Sequence, residues 1–133
     1  MSSTLLFDFP DHLRAFRQLV VACQTAISQP TPDRPAVTRQ VKQLESMIQD
    51  HLLPLPATAL PPQHQSLWLS TQTELRRTLR LLRTELSFWQ MARSGDRQQH
   101  CQKRLQHHYQ QLSDIAQVME QWLESMDPSP LTD

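Results

Sequence analysis

His100, Cys101, His107 and His108 fall within nine consecutive residues, and imidazole and thiol groups in such company invite a metal site. Two ligands on one helix must stand three or four positions apart to reach a single ion. His100 and His107 stand seven apart, about 10.5 Å along a helix axis, and His107 and His108 point about 100° apart around it. No HExxH pair, Cys/His quartet or ExxH di-metal pattern occurs. The serines and cysteines lack an activating context such as G-x-S-x-G. One glycine leaves neither an oxyanion loop nor a phosphate cradle. The residues therefore predict no metal, no cofactor and no enzyme active site. His108 reads instead as a polar member of a helix seam, making a hydrogen bond or marking register.

The remaining chemistry is cationic. Arg76, Arg77, Arg80 and Arg83 form a stripe in which 76, 80 and 83 share one helical face. Such a face can receive an acidic protein segment or nucleic-acid phosphate. It can equally be a solvated face whose arginines pair with Glu74, Glu85 or the acidic end of the last helix. Net charge is zero and no aromatic residues interleave the stripe, which argues against nucleic acid. Residues 76–104 hold eight basic groups against Glu85 and Asp96, whereas every charge after Arg104 is acidic. That dipolar layout can steer a partner or favour head-to-tail contact.

The elements that must position these groups are helices. A single glycine among 133 residues excludes a multi-stranded sheet, because hairpin turns call for glycine at positive φ. The length suits one domain spanning 1–133. The ten prolines cluster at the entry, in two linkers and in the tail. The first helix is predicted from Asp11 to Ser28, with Leu13, Phe16, Val20, Cys23 and Ile27 on one face. The prolines of 29–32 break it. The second runs from Asp33, as N-cap, to Leu53, burying Val37, Val41, Leu44, Ile48 and Leu52. A stiff Pro-rich linker occupies 54–62, and a flexible tail 127–133.

The third helix is expected from Gln63 to Ala92 and the fourth from Asp96 to Met126. Trp68, Leu75, Leu79, Leu82, Leu86 and Trp89 follow a seven-residue repeat interrupted by Gln72. Cys101, Leu105, His108, Leu112, Ile115, Met119, Trp122 and Met126 keep it unbroken. The short turn around Gly95 makes these an antiparallel hairpin. The predicted fold is an all-α, four-helix antiparallel bundle of two shorter N-terminal helices and a long C-terminal hairpin.

The last two helices would be about 45 Å long and the first two about 27–32 Å, so one end of the hairpin should protrude with its apolar residues uncovered. This predicts a homodimer or higher oligomer, with Leu86, Trp89 and Leu105 in self-association. The alternative is a linker that folds back over the seam. Two isolated cysteines, no signal segment and no membrane-length apolar run place the protein in the cytoplasm.

The stretch SFWQMARSGDRQQHCQKRLQHHYQQL resembles the third-to-fourth helix junction of the PatD family, cyanobacterial proteins that control heterocyst frequency. The matching residues are Phe88, Trp89, Ala92, Arg93, Ser94, Gln98, Gln99, Arg104 and Leu105. The resemblance implies a non-enzymatic helical regulator of cell division and differentiation that binds the tubulin-like division protein FtsZ. The resemblance carries over no contact residues; from the stripe alone, Arg76, Arg80 and Arg83 are expected to face the partner. A helical adaptor from another pathway and a nucleic-acid binder using the 76–83 stripe are the alternatives.

Overall fold

A computed structural model describes the backbone of residues 2–126 and the side chains of 6–126; the tail expected at 127–133 lies outside the described residues. Among these the chain is all-α, with no strand. Helix α1 spans Ser2–Ile27, α2 Arg34–Met47, α3 Pro62–Met91 and α4 Gly95–Met126. A π turn, Ile48–Leu52, prolongs α2, and a 3-10 turn, Ala57–Ala59, lies in the linker. No described helix is long and apolar enough to cross a membrane.

The first two breaks, 28–33 and 53–61, fall where prolines withhold backbone donors, whereas the third, at 92–94, contains none. Where proline costs nothing it opens a helix, as Pro35 does in the first turn of α2 and Pro62 in that of α3. Asp33 precedes α2 with extended backbone, as an N-cap does, yet its side chain makes no capping bond. Ser94 caps α4 instead. Its hydroxyl accepts the Arg97 N–H at 3.2 Å and its carbonyl the Gln98 N–H at 3.0 Å. Gly95, expected in the turn, already belongs to α4.

The N-terminus departs from expectation. The first helix was predicted to start at Asp11, after Pro10, but Pro10 lies inside α1. An interior proline loses one hydrogen bond and crowds the preceding turn, at roughly 3 kcal/mol. Phe9 offsets this. It is buried between Trp68, with ring centroids 5.5 Å apart, and Trp122, at 6.2 Å. Burying a phenylalanine contributes about 2–3 kcal/mol, which holds the turn on either side of the exposed Pro10. Tertiary packing overrides the local breaker.

Periodicity places most of the core correctly. Leu13, Phe16, Val20, Cys23 and Ile27 of α1 are buried, as are Val37, Val41, Leu44, Ile48 and Leu52. So are all six predicted apolar positions of α3. In α4 Ile115 and Met126 are only half-buried, while Tyr109 and Ala116, assigned to no seam position, are buried. Helix α1 meets α4 along its length: Phe9 lies by Trp122, Arg17 pairs with Glu120, and the Gln102 amide donates to the Ile27 carbonyl. That last bond satisfies one of the orphan carbonyls at the end of α1.

The hairpin seam is not left uncovered. Helix α1 has 26 residues, hence about 39 Å, and the α3 seam from Trp68 to Trp89 is covered within one chain. The linker folds back, as the alternative reading had it, burying Leu55 and Leu60. The indole N–H of Trp68 donates to the Leu55 carbonyl at 2.7 Å. The Gln72 amide donates to the carbonyls of Leu53 (3.1 Å) and Leu55 (3.3 Å). Gln72, which interrupts the repeat, is therefore a clamp whose two N–H groups hold a segment that prolines have stripped of its own donors. Gln72→Leu restores the heptad pattern and should nevertheless lower the unfolding free energy by about 1–3 kcal/mol in urea titrations, since it orphans the Leu53 carbonyl and leaves that of Leu55 to Trp68 alone. A stabilised Leu variant would refute the clamp.

Candidate functional site

The grouped histidines do not converge. His100 and His107 are exposed, and His108 is buried with Nδ1 3.2 Å from Gln111 Oε1, the polar seam role its position predicts. The rings of His107 and His108 lie 5.8 Å apart at 56°. Among the described residues no three His, Cys, Asp or Glu side chains are grouped to hold a metal. Cys23 and Cys101 are both buried free thiols.

All four stripe arginines are exposed on α3, but they differ in what they meet. Arg83 Nη1 reaches Glu45 Oε2 of α2 at 2.6 Å. Arg77 stands 3.8 Å from Glu74, one turn away. Arg76 and Arg80 have no ion-pair partner among the described residues. The stripe thus divides into a structural arginine (Arg83), a loosely paired one (Arg77) and two free cations one helical turn apart.

The residues expected in self-association lie inside the chain. Leu105 is fully buried and Leu86 is 8% exposed. Trp89 is 2% exposed, with the Arg34 guanidinium 5.4 Å from its ring centroid. Arg34 is itself held by the Gln90 carbonyl at 3.1 Å. None of the three offers a second copy any appreciable area.

A second feature was not anticipated from sequence. Where α3 ends and α4 begins, Glu85, Phe88, Met91, Ala92, Arg97, His100, Cys101 and Arg104 line an open cleft of about 580 Å³. Phe88 and Met91 are large apolar residues left exposed at its rim, at 56% and 75%. At its floor Glu85 is buried, and its carboxylate forms an ion pair with Arg104, Oε1 lying 2.9 Å from Nε. Burial first, and then the Glu85 carboxylate, push the Cys101 thiol above its ordinary value despite Arg104 and Arg97. The thiol stays protonated and is a poor nucleophile. Sequence reading placed Glu85 among ordinary surface partners of the arginine stripe. Its place one turn before Trp89, on the flank of the seam, was the available signal. No protein-family model, curated protein or solved structure gives a significant match to this chain.

Proposed function

We propose that this chain is a non-catalytic protein-interaction module of the cytoplasm that regulates cell division by contacting the FtsZ polymer. Supporting this reading, the neighbouring helices touch in the order of an up-down antiparallel four-helix bundle: α1 with α2, α2 with α3, α3 with α4, and α4 with α1. Such a fold buries its helix faces and leaves recognition to side chains on its outer surface. The observation that carries the proposal is the pair Arg76 and Arg80, exposed and unneutralised on α3, a ready receptor for carboxylates on a protein surface. The resemblance of Ala92, Arg93, Ser94 and the Gln-rich start of α4 to the PatD family supplies the identity of the partner. Ser94 has a structural use there as the α4 cap, so that part of the motif also has a physical reason to occur.

Co-sedimentation with FtsZ filaments at micromolar protein tests this. Wild-type chain should pellet with filaments, and Arg76→Glu with Arg80→Glu should weaken binding at least tenfold. Both substitutions are on the surface, where stability changes stay within about 0.5 kcal/mol. Absence of wild-type enrichment defeats the division reading. If the stripe instead serves nucleic acid, affinity for a duplex should fall by several decades as salt rises.

A further inference from the structure

We infer that the cleft between the end of α3 and the start of α4 docks an acidic segment of a partner protein that carries an apolar side chain beside its carboxylates. The inference rests on the protein-interaction reading above, but not on FtsZ as the partner.

Three features of the cleft define its occupant. The first is a prepositioned cation. Arg104 is 58% exposed while the carboxylate that holds its Nε is 7% exposed. The ion pair offsets the Glu85 charge and tethers the guanidinium on its Nε side, leaving both terminal nitrogens to donate as a fork to an incoming carboxylate. The second is the surrounding charge. Arg97 lines the same cleft and has no ion-pair partner among the described residues. Glu85 is the only lining acid and is already paired, so the unneutralised charge is positive and selects carboxylates over cations.

The third feature is the apolar rim. Phe88 and Met91 stand exposed within the same cleft as Ala92. A flexible thioether beside an aromatic ring accommodates leucine- or phenylalanine-sized side chains of varied shape. A purely anionic ligand would leave these groups in water, and a purely apolar one would strand the arginines. An apolar residue flanked by aspartate or glutamate satisfies both.

The cleft is separate from the stripe. Arg76 and Arg80 do not line it, so the two surfaces can be tested independently. The probe is an acetylated, amidated peptide, Asp-Asp-Leu-Phe-Asp-Asp, titrated into the full chain labelled for NMR at methionine methyls and arginine Nε. The Met91 methyl and the Arg97 and Arg104 Nε signals should shift in a saturable way. Arg104→Gln and Met91→Ala should each weaken binding at least tenfold, whereas the Arg76→Glu, Arg80→Glu protein should bind as wild type. Glu85 acts as a positioning residue. Glu85→Gln removes the one lining acid, which by charge alone favours the acidic peptide, so a several-fold weakening with a broadened Arg104 Nε signal and the fold intact by circular dichroism reports lost positioning.

The control peptide Asn-Asn-Leu-Phe-Asn-Asn, without charge, and Asp-Asp-Ser-Ser-Asp-Asp, without the apolar pair, should both bind at least tenfold more weakly. Equal binding by either control overturns the inference, as do shifts confined to Arg76 and Arg80. An equal response to a ten-nucleotide oligothymidylate also overturns it. So do concentration-dependent shifts of the cleft in peptide-free protein, which would make a second copy the occupant. Peptide binding without FtsZ co-sedimentation sinks the division reading alone. Co-sedimentation that survives Arg104→Gln, with no peptide binding, sinks the cleft alone.

Discussion

Replacing Trp68 with alanine is expected to lower the unfolding free energy by about 3–5 kcal/mol, the range for emptying a buried tryptophan site. Three contacts set that expectation. Trp68 is fully buried and meets Phe9 edge-on, at 5.5 Å and 82°, and Trp122 at 6.0 Å and 60°. Its N–H holds the Leu55 carbonyl. The residue therefore joins α1, α3, α4 and the linker at one point, and its loss loosens all four. Trp68→Phe isolates the polar share. It keeps an aromatic ring against Phe9 and Trp122 but removes the indole donor. Gln72 still donates to the Leu55 carbonyl, so the hydrogen-bond part of the loss should be near 1 kcal/mol. Urea titration monitored by circular dichroism at 222 nm measures both variants. A Trp68→Ala cost below 1 kcal/mol would mean that this junction does not anchor the fold.

That junction also shows what periodicity can and cannot reveal. Trp68 was legible as a seam residue because its spacing from Leu75 and Leu79 matches one helical face. Its bond to the linker was not, because no pattern specifies which carbonyls a folded-back segment presents. Gln72 looked like a defect for the same reason: its partners are 17 and 19 residues away in a different element. In α4, Tyr109 and Ala116 widen the buried face beside Leu105, Leu112 and Met119, since α4 packs against α1 as well as α3. A single-seam reading of that helix could not show it. Pro10 marked a boundary in the sequence, and only the packing of Phe9 on two tryptophans erased it.

The candidate site was legible to a different depth. Residue type alone identified the cations of α3. Which of them are free depended on Glu45 meeting Arg83 across two helices. The cleft lay further out of reach, because Phe88 and Met91 join Arg97 and Arg104 only once the turn at 92–94 doubles the chain back. Its tightness follows from Ser94 capping α4 so soon after α3 ends. The family resemblance covered this same stretch, yet it conveyed an expected partner without a surface. The cleft gives that stretch a physical use of its own.

Alkaline pH should unfold this protein by titrating groups that its core keeps neutral, Cys23 and Tyr109 foremost, with the raised Cys101 thiol adding to the same limb. The thiol of Cys23 is pushed up to about 12 by burial, which outweighs the opposing influence of Tyr109. Burial, and then the neighbouring Cys23, raise Tyr109 well above an ordinary phenol. The Tyr109 hydroxyl is buried without a well-formed hydrogen bond; Cys23 is the polar group that couples to it. Both groups bind their protons more tightly when folded. The stability they protect is complete below their unfolded values, 9.0 for the thiol and 10.0 for the phenol. Above those values each group costs the folded state about a tenfold change in its equilibrium per pH unit, up to its folded value. By pH 11 the thiol should account for about two decades and the phenol for about one, together roughly 4 kcal/mol. Urea midpoints should therefore hold steady to pH 9 and fall steeply from there toward pH 11. Tyr109→Phe removes the phenol without removing the ring, and it also deletes a buried hydroxyl that lacks a partner. It should be no less stable than wild type at pH 7 and should lose only the limb that begins near pH 10, leaving the thiol's. Identical alkaline limbs in the two proteins, or a flat wild-type profile to pH 11, would show that the contact between α1 and α4 is wet enough to hold ionised groups.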